Sequence, residues 1–519
     1  DIVIKAGSGT NTVGDDAVLP ELLDTSDNQF AFTLFEDTLE ALASGTSIIL
    51  EAAIDITIES LNGGELTLAE GNNIRFTADA NNNGTGSFFM NPSNTIRTAG
   101  GTVRIMAGDD DRGSVVGNID TSRDAGLVGN ISISDPDQLS VGALNAGNGS
   151  ITLTSNGIDL LGDADSVVAD VVTLRPSDDN TTVFIGTTDN NAGVLDISVS
   201  DIQALGSGVG RVEIGRETNN GVVKILGDAA DDGNGAFQSP AEIVSENITL
   251  VGPDRDNIWR LNAPIDGEGT STLDGYSNLF FQNVSRLEGG ALDDTIIFAG
   301  DSAFINGSID GKAGDLSLIG DEINLFGATS GTGNLFIRAA SNDREILLAG
   351  EGGEGGEGGE GGEGGEGFDY SGGAEPLDLV EDELFNISAS FEAVTIGTRS
   401  GGSIRLLSDQ TFRRPLTLLS ERMIDTSDGR LSTTNRSALA LDADTIVADV
   451  LATDGGDISL ESVGSISVTA IDARNPSFDE EVPVSATNQQ GGTIAIETDR
   501  YIQVSEAASE SVDVEETIS

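Results

Sequence analysis

The chain has 519 residues, with 87 Asp and Glu against 25 Lys and Arg and no His, so its net charge near neutrality is −62. A negative field of that strength repels nucleic-acid phosphates and anionic lipid, and no nucleic-acid partner is expected. With no Cys and no His there is no disulfide framework, no thiolate metal site, and no serine-histidine or cysteine-histidine catalysis.

Apolar residues make up 37% of the chain and aromatics 4%, and glycine fills 68 positions. An acidic disordered chain would be poor in β-branched residues, yet Ile and Val recur here in short alternating groups from end to end. The chain opens directly on a strand, "DIVIKAG", without an initiator Met or an apolar leader. That start predicts a processed product or a section of a longer precursor.

Strands continue in "GGELTLAEGNNIRFTA" from Gly63, "GGTVRIMAG" from Gly100 and "NGSITLTSNGIDLLG" from Asn148. They recur in "GDLSLIGDEINLFG" from Gly314, "GGSIRLL" from Gly401, "GGDISLESVGSISVTAI" from Gly455 and "GGTIAIET" from Gly491. Each is a glycine turn followed by apolar, polar, apolar. Alternation of this kind over three to five residues turns one face of a short strand inward, and the Gly, Asn and Asp clusters between supply tight turns. The last segment, "YIQVSEAASESVDVEETIS", still alternates, so neither terminus reads as a polar cap. No stretch approaches the ~20 apolar residues of a membrane span.

Many short strands suit either a sandwich or a solenoid, and distant self-similarity separates the two. "LDISVSDIQALGSGVGRVEIG" from Leu195 aligns without a gap to "LDLVEDELFNISASFEAVTIG" from Leu377, pairing Ile197 with Leu379, Ile202 with Leu384, Leu205 with Ile387, Val212 with Val394 and Ile214 with Ile396. "GVVKIL" at Gly221 matches "GSIRLL" at Gly402, and "DADSVVADVV" at Asp163 matches "DADTIVADVL" at Asp442. A sandwich has no reason to repeat its own pieces. The expected fold is therefore all-β, a right-handed parallel β-helix (β-solenoid) with very short helices and long surface loops. At roughly 20 to 25 residues per turn and ~4.8 Å per layer it would form a rod on the order of 100 Å long.

Glu recurs at every third position from Glu351 to Glu366, with two glycines between. Aligning "VVTLRP", which ends near Leu174, with "EILLAG", which ends near Leu348, makes this run a lengthened connection between two turns. It lacks Pro and has Gly at two positions of each triplet, so it is not collagen-like. Its carboxylates repel one another and its glycines bury nothing, which predicts a flexible or extended loop. The expected organisation is a solenoid over 1–348, an inserted Gly/Glu-rich loop over 349–373, and the solenoid's continuation over 374–519.

Residues 34–88, with "LEALASGTSIIL" from Leu39 followed by the strand pairs from Gly63, resemble the repeat region of filamentous-haemagglutinin-like large bacterial exoproteins. So do the "LDIS" unit, the segment from Gly455 and residues 258–315. The resemblance implies a secreted β-helix at the cell surface that acts as an extracellular filament or adhesin stalk. A cell-surface or glycan receptor is the partner such a protein would meet. Ends that do not read as polar caps add the expectation of a homopolymer formed through the solenoid ends.

Candidate chemistry is sparse. Asp79, Asn81, Asn83 and Gly84 match the first half of a calcium loop, although Met90 stands where its bidentate Glu belongs. A related loop offers Asp228, Asp231 and Asp232. "GGALDDTII", with Asp293 and Asp294, resembles a degenerate copy of the glycine-rich calcium repeat. All of these residues also suit solvated Asx turns, so calcium is an optional ligand and no cofactor is required. Paired carboxylates such as Asp109, Asp110 and Asp111 arise by chance in so acidic a chain, and aromatic and basic groups for a polysaccharide site are few. Trp259 is expected to pack beside Leu261. "GSGVGR" at Gly206 is part of a dinucleotide fingerprint, but its repeat copy reads "SASFEA" and loses the glycines. The reading is of a structural protein with no catalytic residues. A calcium-dependent adhesion module and a polysaccharide-processing β-helix stand as alternatives.

Overall fold

Alternating aliphatic residues between glycine turns form short parallel strands throughout. The computed structural model describes residues 1–11, 32–109, 112–123, 128–187, 193–218, 221–226, 236–245, 247–262, 270–276, 278–299, 303–305, 307–350, 376–473, 493–498, 501–508 and 511–516; for residues 187, 304 and 501–516 it describes the backbone alone. The chain divides into two compact units, the first Asp1–Pro253 with Asp266–Val284, the second Asp254–Ile265 with Ser285–Ser519. Both flanks of the Glu-Gly-Gly run therefore belong to the second unit, and the division falls elsewhere in the chain.

In the first unit, each strand from Ile56–Ile58 to Leu144–Asn145 pairs in parallel with the third strand after it, so that three rows of strands grow side by side. The register stacks like on like. One column runs Ile4, Ile58, Met90, Val116, Val141, Leu160. A second runs Leu50, Phe76, Ile105, Ile133, Leu153, Leu174, Ile214, Ile243, Phe281. Apart from Leu50 at 8%, no member of that column is more than 1% exposed. Each fully buried aliphatic of this size contributes about 1.5–3 kcal/mol, so the columns supply most of the unit's stability.

Polar side chains bordering the strands link the layers as well. Asn73 Oδ1 accepts the N–H of Thr102 at 2.8 Å, Thr102 Oγ1 accepts that of Asn130 at 3.4 Å, and Asn130 Oδ1 accepts that of Ser150 at 2.9 Å. Among the described residues one departure from parallel pairing occurs. Ser271–Leu273 and Leu279–Phe281 form an antiparallel hairpin, turned at Gly275 with φ of 91°.

The second unit carries a column of the same kind, Trp259, Ile296, Leu318, Ile337, Ile396, Leu418, Leu441, Leu460, Ile496. Trp259 is fully buried and stacks on Ile296. Three strands here, Met423–Thr433, Leu439–Thr453 and Ile458–Asp472, are far longer than the three to five residues expected. Each behaves as short segments joined without a break in pairing, because register shifts at Thr426/Arg430 and Ala443/Thr445 absorb the bends.

Ile346–Leu348 pairs in parallel with Leu377–Leu379, so the strands bordering the Glu-Gly-Gly run are direct neighbours. In the first repeat copy the matching pair is Val183–Ile185 with Leu195–Ile197. The counterpart of "EILLAG" is thus "TTVFIG", not "VVTLRP". The "DAD" repeat also differs between its copies. Asp163 to Asp165 turn, with Asp165 at φ of 59°, whereas Asp442 to Asp444 lie inside the strand Leu439–Thr453.

The α-helices among the described residues are short: α1 (Glu36–Glu40), α2 (Val199–Leu205) and α3 (Glu381–Phe385). α1 ends at Glu40, so most of "LEALASGTSIIL" is turn and strand. No helix among the described residues is long and apolar enough to cross a membrane.

Candidate functional site

The residues aligned by the internal repeat build the same corner twice. In α2, Asp201 Oδ2 accepts the N–H of Ser198 at 2.8 Å and its hydroxyl at 2.7 Å, while Oδ1 accepts the N–H of Leu160, a strand away, at 2.7 Å. In α3, Glu383 Oε2 accepts the N–H of Val380 at 3.1 Å and Oε1 that of Leu325 at 3.0 Å. Both carboxylates thus fasten a helix start to a neighbouring strand. α1 uses Glu36 similarly, accepting the N–H groups of Gly7 at 2.8 Å and Asn62 at 3.0 Å.

Burial raises the Asp201 carboxyl to about 6 against its hydrogen bonds to Ser198 and Leu160, and raises that of Glu383 to about 7. These buried acids have inward structural work. Sequence reasoning passed over them, although an acid stands one residue before Ile202 and one before Leu384 in the two copies.

The candidate calcium residues separate into three situations. In the first loop Asp79 is 8% exposed, and its two oxygens accept the N–H groups of Asn83 at 2.9 Å and Gly84 at 3.0 Å. Asn81 Oδ1 reaches the same Asn83 N–H at 3.3 Å, and Asn83 Oδ1 accepts the N–H of Thr85 at 3.0 Å. Gly84 takes φ of 80°, as the motif anticipates. Asp228, Asp231 and Asp232 lie outside the described residues.

Asp293 and Asp294 face different ways. Asp293 belongs to an interlayer ladder: its N–H donates to Asp256 Oδ1 at 3.3 Å, its Oδ1 accepts the N–H of Asp315 at 2.9 Å, and Asp315 Oδ1 accepts that of Asn334 at 2.7 Å. Asp294 points inward. It occupies the column Asn257, Asp294, Leu316, Leu335, Val394, Leu416, Leu439, Ile458, Ile494, is 1% exposed, and accepts the Asn257 Nδ2 hydrogen at 2.8 Å. Burial pushes its carboxyl up to about 6. Gly289 makes the space, since a Cβ there would fall 1.8 Å from Asp294 Oδ2. Among the described residues no group of three or more acidic side chains is arranged to hold a metal ion.

The glycines of "GSGVGR" serve a corner. Gly206 closes α2, and a Cβ on it would meet Asp165 Oδ1 at 2.0 Å.

The second unit holds a cavity of about 220 Å³ between α3 and the strand Gln410–Phe412 with the loop that follows it. Leu384, Val394 and Phe412 supply buried apolar wall, while Phe385 stands 76% exposed. Gln410, Arg413 and Arg414 also line it.

Comparison with known protein families, curated proteins and solved structures gives no match.

Proposed function

We propose that the chain is a right-handed parallel β-helix that serves outside the cell as a structural element, a filament subunit or adhesin stalk of the kind its filamentous-haemagglutinin-like repeats suggest. The observation that carries this reading is the in-register stacking of aliphatic columns layer after layer in each unit. Such stacking makes stability a sum over neighbouring layers and lets a chain extend without a closed active centre. The reading requires neither catalysis nor a cofactor. Calcium at the Asp79 loop would be an addition to it, offsetting negative charge. Assembly would proceed through unpaired strand edges, where the backbone groups of one copy meet those of another.

Negative-stain imaging with sedimentation velocity at micromolar concentration tests the proposal. Elongated rods or filaments are the expected result, with filaments marking end-to-end assembly. Compact globular particles would overturn the structural role, and rods that stay monomeric at all concentrations would remove the assembly.

A further inference from the structure

The cavity beside α3 has features that the fold does not require. The corner is built twice, and in the first copy Gln203 occupies the position of Phe385. An exposed aromatic at that place is therefore no condition for making the corner. Gln410, also in the lining, is 9% exposed, and its side-chain amide makes no hydrogen bond among the described residues. The amide is thus available to pair with a ligand that enters the cavity.

The charge is unusual as well. In a chain with 87 acidic and 25 basic residues, two consecutive arginines line one small cavity. Arg414 Nε donates to the Ala389 carbonyl, which leaves its terminal nitrogens without a partner among the described residues. Arg413 is exposed and forms no ion pair among the described residues. Surrounding carboxylates have not neutralised them.

We propose that this cavity binds a small aromatic carboxylate. An apolar wall and the Phe385 ring would take the ligand's ring, because aromatic pairs gain about 0.5–1.5 kcal/mol beyond the area they bury. The planar guanidinium of Arg413, with Arg414 beside it, would take the carboxylate in a charge-assisted pair. The Gln410 amide would meet a ring hydroxyl. A volume of 220 Å³ suits a single substituted ring rather than a drug-sized ligand. The ligand could be a free aryl acid or the C-terminal aromatic residue of a peptide, since both present a ring and a carboxylate. This binding does not depend on filament formation.

The test is calorimetry or saturation-transfer NMR on the full chain at about 0.15 M salt, where surface charge is screened beyond ~8 Å. Benzoate and 4-hydroxybenzoate represent the free acid, N-acetylphenylalanine represents a chain terminus, and benzamide is the uncharged control. Saturable binding of the acids is expected at millimolar concentration or below, with benzamide at least about tenfold weaker. Arg413→Gln should weaken the acids by about tenfold. Phe385→Gln should weaken them without lowering the melting temperature, since the first copy folds with Gln at that position. Gln410→Leu should abolish any advantage of the hydroxylated acid. Tighter binding of N-acetylphenylalanine than of benzoate assigns the site to chain termini, and the reverse assigns it to free acids. The proposal is overturned by absence of saturation up to about 20 mM, by equal binding of benzamide, or by wild-type affinity in both the Arg413 and Phe385 variants.

Discussion

Asp201 and Glu383 are acids placed where water is scarce, and their effect on stability has a definite sign. Their folded-state values, about 6 and about 7, lie above the ordinary carboxylate range. A raised value means that the folded state holds its proton more tightly than the unfolded chain. The stabilisation is therefore complete below about pH 4 and is lost as the pH rises through 6 to 7. We expect the melting temperature to rise on going from pH 7.5 to pH 5, a window above the titration of most exposed carboxylates. Thermal scans across that range would check it, and a flat profile would contradict the burial argument. Asp201→Ala should cost about 2–4 kcal/mol by chemical denaturation, since it orphans the N–H groups of Leu160 and Ser198.

Alternation already pointed Asp294 inward, because it keeps step with Ile296 and Phe298 along its strand. Two adjacent aspartates after a glycine pair resemble a metal turn, and that likeness concealed the parity. Asp293, one residue earlier, faces the other way and joins the ladder between layers.

At the scale of elements, the parallel strands and their inward residues could be read from glycine spacing and period-two alternation. Their lengths could not. A bend inside Leu439–Thr453 costs a register shift but leaves the pairing intact, so nothing in the sequence marks it. The hairpin at Ser271–Leu273 escaped for a related reason, since a glycine turn does not state whether the next strand reverses or moves on a layer. The repeated "DAD" carries the same lesson. The residues C-terminal to each triplet agree in burial, Val167 and Ala169 matching Ile446 and Ala448, while the triplets themselves take different conformations.

The column that holds Asn257 and Asp294 offers an element-scale test. Every later member is Leu, Ile or Val. Replacing both polar residues, Asn257→Leu with Asp294→Leu, should be neutral or stabilising by about 1–4 kcal/mol at pH 7.5, whereas Asp294→Ala alone should destabilise. Denaturant midpoints of the two variants measured side by side would decide.

For the molecule as a whole, the net charge of −62 works against the compact state. The ion pairs are mostly at the surface, such as Arg422 with Asp343 at 3.0 Å, and each contributes little. Screening should therefore help more than it harms. Raising NaCl from about 0.1 M to about 1 M shortens the screening length from ~10 Å to ~3 Å and should raise the melting temperature. Millimolar calcium added at about 0.15 M NaCl then serves as a separate comparison. A gain beyond that of magnesium at equal ionic strength would favour a formed calcium site, and equal gains would leave only general screening.

The hydrogen-bonded pairing of Ile346–Leu348 with Leu377–Leu379 has a consequence for how the connection between them can vary in length. Whole Glu-Gly-Gly units can be added to or dropped from the string without altering either bordering strand. Both ends of the string are moored to one parallel pair, so such events leave every downstream residue facing the side it faced before. Closing a connection of twice the length costs only about 0.6 kcal/mol. Variants differing in unit number should therefore melt alike, making this a permissive place to graft foreign sequence.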